Sequence, residues 1–540
     1  MFKTMLHHFF CGLVLLASVW LTGCATLPSD VQRAVSTALT DNTGTRLGKA
    51  VAARALAATT RNDSGFALVG TADLALTSRM TLIRAAQKTL DLQYYAVHAD
   101  ATTERLFDAL KEAANRGVRV RILLDDFNTA GENAQILKFA FEPNVEMRLF
   151  NPLPSSRGSG LWRIVSSLSD AARLQRRMHN KLFVADNAVA ITGGRNLGDT
   201  YFGQSDGVNF VDMDVLAAGR IVRDLSSSFD QYWNNPLAYP VQALMSRRDI
   251  EALKPQLAEP AAAPDALNKT TLARIAVDPT GLTTTIAALP DSTDLRLLSW
   301  TWAGATLLVD KPSKIAEDAD AAEASNSTTV DGLLSLMARA QSDLLVVSPY
   351  FVPGPKMMKQ FADIRQRGVR VRVLTNSLAS NDAVAAHAGY ARYREGLLAM
   401  GVEIYEMRSE QRGTVASFGS GSGSAGRTGG ASRASLHAKA VVIDSRLLVV
   451  GSMNLDLRSK LQNSEVAIAI RNRKLAAEAT ALIEPALTSA AYRVELVGSQ
   501  LIWRAPQGSG LPDATTEPDA SWGLKLLVKA IAPFAPDEML

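Results

Sequence analysis

The sequence predicts an α/β protein built from two duplicated lobes that together form one active site. Three observations predict this: a strand–helix–strand unit that occurs twice, a hairpin motif that follows each copy, and nearly equal offsets between the copies. At 540 residues the chain is longer than one ordinary core requires. Its net charge of +4 neither demands nor excludes nucleic acid, and gives only mild attraction to an anionic lipid surface.

The first repeated unit is a strand, a helical stretch and a second strand. One copy runs from LDLQYY (Leu90 to Tyr95) to RGVRVRILLDD at Arg116, and the other runs from LLVVSPYF (Leu344 to Phe351) to RGVRVRVLTNS at Arg367. The identical RGVRVR hexapeptides predict the end of a helix, a glycine stop and an alternating strand. This order is typical of a parallel sheet with crossover helices.

The second repeated unit is a hairpin. RRMHNKLFVADNAVAITGGRN (176–196) matches ASLHAKAVVIDSRLLVVGSMN (434–454), with predicted turns at Asp186-Asn187 and Asp444-Ser445. The offset is 251 residues from Gly117 to Gly368 and 258 residues between the histidines of the two hairpins. Nearly equal offsets over separate elements indicate duplication and fusion of one ancestral unit.

The repeats and composition divide the chain into six predicted segments. These are a lipoprotein signal peptide (1–23), an N-terminal linker or helical segment (24–65), the first lobe (66–245), a Pro/Ala-rich linker (246–270), the second lobe (271–500) and a C-terminal tail (501–540). The Gly/Ser-rich tract 418–432 predicts a flexible surface loop, which either borders the active-site mouth or is a passive insertion. The apolar stretch 522–531 fits either a helix lying on a membrane or a helix packed on the domain.

The N-terminus predicts export and a lipid anchor. The apolar run from Phe9 to Leu21 is too short to span a bilayer comfortably and has the position of a secretory signal; an uncleaved short anchor is the alternative. It is followed by Leu-Thr-Gly-Cys, which resembles a bacterial lipobox and implies cleavage before Cys24 and lipidation of its thiol. Ala25 after the cysteine favours onward transport. We therefore expect a periplasm-facing protein of the bacterial cell envelope, on the inner leaflet of the outer membrane.

Cysteine content agrees with that interpretation. The only cysteines are Cys11 and Cys24, so the mature chain has no disulfide. No Cys/His cluster predicts a zinc site, and we expect neither a metal nor a cofactor.

Each hairpin carries a histidine, a lysine two residues later and a downstream aspartate, and these are the candidate catalytic residues: His179, Lys181 and Asp186 in the first lobe, and His437, Lys439 and Asp444 in the second. Positions i and i+2 of a strand point to the same face, so each hairpin presents an imidazole beside an ammonium group. An approximate two-fold between the lobes would bring the two pairs together.

This set suits a phosphodiester. One neutral imidazole attacks phosphorus to form a phosphohistidine, and the other exchanges a proton with the leaving and incoming groups. The lysines neutralise the phosphate oxygens, and Asn196, Ser452 and Asn454 are candidate hydrogen-bond donors to the phosphate.

Each histidine also needs a carboxylate to hold its second ring nitrogen. We predict Asp214 and Glu465 for this role, because both follow their motif at what looks like an equivalent place. Asp186 and Asp444 lie at predicted turns, so bonding the turn backbone is an open alternative to catalysis for them.

The motifs resemble those of the phospholipase D superfamily, whose signature is a doubled His-x-Lys-x4-Asp with a downstream Gly-x2-Asn. Both copies match, the second part being Gly193 with Asn196 and Gly451 with Asn454. The resemblance implies two α/β/α lobes with the site at their interface, and a phosphohistidine intermediate without metal.

Longer stretches are similar to bacterial cardiolipin synthases of the C type, among them RLFNP, RMHNKLFVADNAVAITGGRNLGDTYF, TNSLASND and GYARYREGLL. This similarity implies transfer of a phosphatidyl group from a second phospholipid, such as phosphatidylethanolamine, to phosphatidylglycerol. By analogy with two-motif relatives, His179 is the nucleophile and His437 the acid/base. The lipobox departs from the transmembrane helices of other synthase types.

Three alternatives stay open. Water in place of an alcohol acceptor gives a hydrolytic phospholipase D that releases phosphatidic acid. A nuclease is disfavoured by the low charge, the anchor and the lack of a basic-aromatic stripe, so no nucleic-acid partner is expected. A lipid-binding lipoprotein would have no need of two His/Lys pairs. Sequence does not indicate a protein partner.

Overall fold

A computed structural model describes residues 27–58, 63–154, 157, 171–252, 299–316, 327–411 and 432–537. The predicted signal peptide, Cys24, residues 253–270 of the predicted Pro/Ala-rich linker and all but the last residue of the Gly/Ser tract lie outside these ranges. Within them, none of the helices combines the length and apolar character needed to cross a bilayer.

The described residues form two large mixed sheets and one small sheet. The strands of the first half are β1 Ser64–Val69, β2 Thr89–Tyr94, β3 Arg119–Asp125, β4 Val145–Phe150, β5 Leu182–Ala185, β6 Val189–Gly193, β7 Val208–Val211, β8 Asp214–Gly219, β9 Ala238–Pro240 and β10 Thr301–Trp302. Those of the second half are β11 Gly304–Val309, β12 Asp343–Val347, β13 Arg370–Asn376, β14 Glu403–Met407, β15 Glu410–Gln411, β16 Ser432–Leu436, β17 Ala440–Ile443, β18 Leu447–Gly451, β19 Val466–Arg471, β20 Ala491–Val497 and β21 Gln500–Arg504.

The α-helices cover the sheets. They are α1 Arg46–Ala57, α2 Ala72–Ala85, α3 Ala101–Asn115, α4 Ala171–Gln175, α5 Arg220–Trp233, α6 Val241–Leu244, α7 Arg247–Ala252, α8 Ser313–Ala316, α9 Thr329–Met337, α10 Gly354–Gln366, α11 Val384–Ala399, α12 Leu457–Leu461, α13 Arg473–Ser489 and α14 Trp522–Ile531. Short 3₁₀ segments span Gly131–Phe141, Asp199–Tyr201 and Ala532–Phe534.

The strand order of the two large sheets confirms the duplication. The first sheet has the order β10-β1-β8-β6-β5-β2-β3-β4-β9 and the second β11-β19-β18-β17-β12-β13-β14-β20-β21. In each sheet the strand that begins within RGVRVR (β3 or β13) pairs in parallel with the strand before the preceding helix (β2 or β12). The first hairpin strand (β5 or β17) pairs antiparallel with that same strand, β2 or β12. The predicted two-lobed α/β fold is therefore correct.

Local signals in the repeats also correspond to structure. Gly117 and Gly368 have φ of 89° and 81°, which a glycine adopts at little cost just past a helix end. Asp186 and Asn187 have φ of 51° and 46°, values that a tight two-residue hairpin turn requires.

Two predicted boundaries of the second lobe need correction. Thr301–Trp302 (β10) pairs with β1 and belongs to the first sheet, so the chain enters the second sheet only at Gly304. At the other end, β21 extends that sheet to Arg504, past the predicted limit at residue 500. Both strands lie at sheet edges, where pairing depends on which edge is left open and not on local pattern.

The two lobes share one apolar core. Helix α5 of the first lobe packs on β11 of the second, and α13 of the second packs on β1 of the first. Buried side chains from both lobes, such as Phe229 and Leu475, belong to one continuous cluster between the sheets. This shared core fixes the lobes against each other and so positions everything at their interface.

Candidate active site

The two His-x-Lys segments are extended and lead directly into the first hairpin strand of each lobe, β5 and β17. All four side chains are buried, with His179 and His437 8% and 6% exposed. The ammonium group of Lys181 donates to the carbonyl oxygen of His179 at 2.8 Å, and Lys439 makes the same bond to His437. Each lysine is thereby folded back beside its own histidine.

His179 of the first lobe is held by the second lobe. Its backbone N–H donates to the carbonyl of Ser464 at 2.9 Å. Its Nδ1 lies 3.0 Å from both carboxylate oxygens of Glu465. A proton on Nδ1 donated to this carboxylate leaves the Nε2 lone pair free.

His437 of the second lobe is held by the first lobe in the same way. Its backbone N–H donates to the carbonyl of Val211 at 2.8 Å, at the end of a parallel pairing between β7 and β16. Its Nδ1 lies 2.7 Å from Oδ2 of Asp212. Each histidine thus depends on the opposite lobe for its orientation.

The prediction that Asp214 orients a histidine is wrong. Asp214 is buried within the first lobe, where its carboxylate pairs with Arg79 at 3.0 Å and Arg195 at 3.3 Å. The carboxylate that contacts the imidazole is Asp212, two residues earlier.

Strand register explains the error. The glycine that ends β6 pairs with Asp214, whereas the glycine that ends β18 pairs with Ala467. Asp214 is therefore the counterpart of Ala467, and the counterpart of Glu465 is Asp212. Glu465 itself lies against a histidine, although it is the histidine of the other lobe.

Asp186 and Asp444 lie at the turn end of their hairpins, away from the imidazoles. Each accepts hydrogen bonds from three consecutive backbone amides that lead into β2 or β12, those of Gln87, Lys88 and Thr89 and those of Gln341, Ser342 and Asp343. The structure therefore corrects their assignment as catalytic residues. Their role is structural, but the amides that they bind precede β2 and β12 and do not belong to the hairpin turns. A carboxylate is the strongest acceptor available to these amides.

The predicted donor Asn196 is engaged within its own lobe. Its side-chain amide donates to the hydroxyl of Tyr201 at 2.9 Å, and its oxygen accepts from the backbone of Ala96 at 3.2 Å. It supports the wall of the site and holds Tyr201 in place.

Ser452 and Asn454 have different environments. The hydroxyl of Ser452 donates to Glu465, so it supports the orienting carboxylate. The side-chain oxygen of Asn454 is buried and has no hydrogen-bond partner among the described residues. A buried polar atom without a partner is costly, but an amide oxygen only accepts, so a phosphate oxygen would not satisfy it and the predicted donor role gains no support from this atom.

Aromatic rings also line the site beside the histidines, and none of them is among the predicted site residues. The Tyr95 ring lies 5.0 Å from His179, centroid to centroid. Tyr201 and Phe210 lie 5.3 and 5.0 Å from His437. Tyr95 ends the repeated stretch LDLQYY, and Tyr201 lies in GDTYF just after the first hairpin; this position in or next to the repeats was the available signal.

Burial and positive charge lower the proton affinity of all four basic groups. The pKa of His179 falls well below its usual value because of burial and the neighbouring ammonium groups. The pKa of His437 is lowered by burial and by Lys439, against the opposing effect of Asp212. Burial also lowers the pKa of Lys181 to about 7 and that of Lys439 to about 8.

The two orienting carboxylates differ. Burial raises the pKa of Glu465 to about 7. For Asp212 burial acts in the same direction, but the hydrogen bond and charge of His437 outweigh it and hold the pKa below its usual value. The carboxylate beside His179 therefore takes up a proton more readily than the carboxylate beside His437. Within the described residues, no group of three or more histidine, cysteine or acidic side chains could hold a metal ion.

Comparison with known proteins places this site in context. A family model described as "Cardiolipin synthase, PLD-like domain" matches residues 80–233 and 333–485. Cardiolipin synthase C of Escherichia coli K12 is 38% identical over 405 residues, which cover 74% of this chain and 80% of that protein. An uncharacterized protein of Helicobacter pylori 26695 is 31% identical, covering 84% and 85%. The crystal structure of phosphatidylserine synthase from Haemophilus influenzae superposes with a TM-score of 0.55 over 88% of this chain and 95% of that one, at 13% identity.

Proposed function

The chain belongs to the phospholipase D-like cardiolipin synthase family, and on that premise we propose that it makes cardiolipin by transferring a phosphatidyl group to phosphatidylglycerol. One observation carries the proposal: each histidine is buried beside a lysine of its own lobe and oriented by a carboxylate of the other lobe. Two such pairs are what a two-step displacement at phosphorus needs.

In the first step, Nε2 of His179 forms a bond to phosphorus and the bond from phosphorus to the donor alkoxide breaks. His437 gives its Nε2 proton to that alkoxide, which leaves as an alcohol. In the second step, the glycerol hydroxyl of phosphatidylglycerol attacks phosphorus and passes its proton to His437. The N–P bond breaks, and His179 is regenerated.

The electrostatic asymmetry favours these roles over their reverse. His179 has the more strongly lowered pKa, and the pKa of its carboxylate partner is raised, so it stays neutral and nucleophilic. His437 faces an anionic Asp212, which favours an imidazolium. Burial and Lys439 lower the pKa of His437 in the free site; an anionic phosphodiester bound between the lysines opposes that lowering and makes His437 a competent acid.

The acceptor decides the product. Incubation of detergent-solubilised protein with phosphatidylglycerol, with and without phosphatidylethanolamine, followed by mass spectrometry, tests the proposal. We expect cardiolipin from the intact protein and none from a His437→Ala variant, and the dependence on phosphatidylethanolamine identifies the donor. Phosphatidic acid alone would instead establish a hydrolytic phospholipase D, and no lipid turnover would refute both.

The nucleophile is tested separately. A His437→Ala variant retains His179 and lacks the acid/base, so it should accumulate the covalent intermediate from a donor with a good leaving group. We expect phosphorylated peptide mapping to place the phosphatidyl group on His179. Modification of His437 in the intact enzyme would reverse the assignment.

We further propose that the enzyme works at a membrane, held there by lipidation of Cys24 on the periplasmic side of the cell envelope. The lipobox-like LTGC sequence supports this, with Ala25 favouring the outer membrane. Fractionation of cells expressing the intact chain and a Cys24→Ala variant tests it. Recovery only in inner-membrane fractions would overturn the outer-membrane part, and equal behaviour of the two chains would overturn the anchor.

A further inference from the structure

The last helix, α14, packs on the second lobe with only one face. Leu524, Val528 and Ile531 recur at helical spacing and are partly buried. The helix contacts α11, and Ile531 packs against the small apolar cluster that includes Val352. One side of α14 is therefore a normal packing surface.

The opposite face of α14 is apolar and open to solvent. Trp522, Leu526 and Leu527 are 76%, 44% and 47% exposed, and no residue of the helix is fully buried. They are three of only seven large hydrophobic side chains exposed in the described ranges, although the helix has ten residues. This much exposed apolar surface on one helix face indicates a surface that contacts a membrane or another molecule when the protein functions.

The charge on this helix is of one sign. Lys525 and Lys529 lie four residues apart at one edge of the apolar face, and the helix contains no acidic residue. An apolar face with a tryptophan at one end and lysines along its border is typical of a helix in the membrane interface. A protein partner is a poorer match, because lysine is depleted at protein interfaces and this face offers no other polar side chain.

The helix is fixed near the active site. Before α14 in the sequence, Glu517 accepts a hydrogen bond from Arg394 of α11 at 2.8 Å. After α14, Asp537 accepts a hydrogen bond from Tyr393, which is also in α11. Helix α11 begins just after Asp382, whose carboxylate lies close enough to Lys439 to influence its pKa. Helix α11, on which α14 packs, therefore begins close to the second-lobe lysine of the site.

We propose that α14 is a membrane-binding element that inserts Trp522, Leu526 and Leu527 into the surface of an anionic phospholipid bilayer. The choice of a bilayer rests on the proposed function, since the substrates would reside there. The lysines contact the anionic headgroups, and insertion sets the orientation in which lipids reach the site.

Depth-dependent fluorescence quenching tests the insertion. The only cysteines are Cys11 and Cys24, so a full-length Cys11→Ser/Cys24→Ser chain accepts a single label at Leu526→Cys. A label at Leu56→Cys, which replaces another exposed leucine, is the matched control. With vesicles of phosphatidylglycerol and phosphatidylethanolamine that carry nitroxide on the acyl chains, we expect severalfold quenching at position 526 and little at position 56. Equal quenching at both positions, or none at 526, would overturn the proposal.

The lysines and the catalytic consequence give independent readouts. A Lys525→Gln/Lys529→Gln chain should bind these vesicles about 25-fold more weakly, from about fivefold for each lysine. A Leu526→Gln/Leu527→Gln chain should turn over lipid in vesicles about tenfold more slowly, with its rate in detergent micelles unchanged. Equal losses in vesicles and micelles would contradict a membrane role. Quenching needs no turnover, so quenching by a chain that makes no cardiolipin would refute the proposed function alone.

Discussion

Replacing Lys181 by methionine should abolish lipid turnover and at the same time make the folded chain more stable. Lys181 is 1% exposed, and burial lowers its pKa from 10.5 to about 7. The protein thus holds a cation in a place that disfavours charge. We expect such a residue to be retained for chemistry at the expense of stability.

The size of the effect follows from that pKa. At about 1.4 kcal/mol for each tenfold change in proton affinity, the change from 10.5 to about 7 sets an upper limit of about 5 kcal/mol. Methionine also gives up the bond to the His179 carbonyl, at a cost of about 1 kcal/mol. Replacing buried ionic groups by apolar residues commonly gains about 1–4 kcal/mol, so we expect about 2 kcal/mol of added stability.

The pH dependence has a definite sign. Between pH 7 and 10.5 the unfolded chain binds more protons at this lysine than the folded chain does, so wild-type stability rises with pH in that window. The stability of the Lys181→Met variant should rise less over the same interval. Chemical denaturation at pH 7 and pH 9.5, followed by tryptophan fluorescence, measures both effects.

Lys314→Met is the matched control. Lys314 is also buried, but it donates to Asp310 at 2.7 Å and to the carbonyl of Ser459 at 2.9 Å. The same substitution there leaves a buried carboxylate without its cation and should cost about 3 kcal/mol. If Lys181→Met destabilised the chain as much as Lys314→Met, the reasoning from burial would be refuted.

Three further predictions concern the site. Asp212→Asn should reduce kcat about 100- to 10,000-fold with the fold intact. Asp214→Asn breaks a buried ion-pair cluster and should chiefly lower the denaturation midpoint. The opposite pattern would restore Asp214 as the carboxylate that orients the histidine. Lys181 must be protonated to bind phosphate, so wild-type kcat/KM should fall as pH rises from 7 to 8. In a Lys181→Arg variant the part of this fall nearest pH 7 should be absent. If the variant had the wild-type pH profile, the fall would belong to another group. Gly194→Ala would place a Cβ 2.3 Å from the Asp212 carboxylate, which would have to move. We expect a lower kcat with little change in phospholipid KM. Normal turnover would show that the carboxylate tolerates displacement.

The fold and the reacting side chains were largely predictable, because both depend on local pattern that occurs twice. His179 and Lys181 were identified by their spacing and by their matched copies. Asp212 was missed by two residues, because the register between β6 and β8 decides which carboxylate lies opposite the imidazole. Register depends on the whole sheet, and the short stretch around Asp214 contains no information about it.

Pairings between distant parts of the chain were equally hidden. The segment before α1 was predicted only as a linker or helical region. In the structure its backbone carbonyls at Ala34 and Ser36 accept hydrogen bonds from Arg148 and Arg121 of the first sheet. Such contacts join residues more than 80 positions apart, and no periodicity in the sequence reports them.

Because each lobe supplies the carboxylate that orients the histidine of the other lobe, the site forms only after both lobes have been made. An ancestor with a single lobe could have oriented its histidine only with a second copy of itself, so the fused chain keeps a homodimer's contact inside one polypeptide. During synthesis, His179 has no oriented imidazole until Glu465 has been made, 286 residues later. A chain that ends before Glu465 therefore lacks an oriented His179, and the site is complete only when the second half has folded against the first.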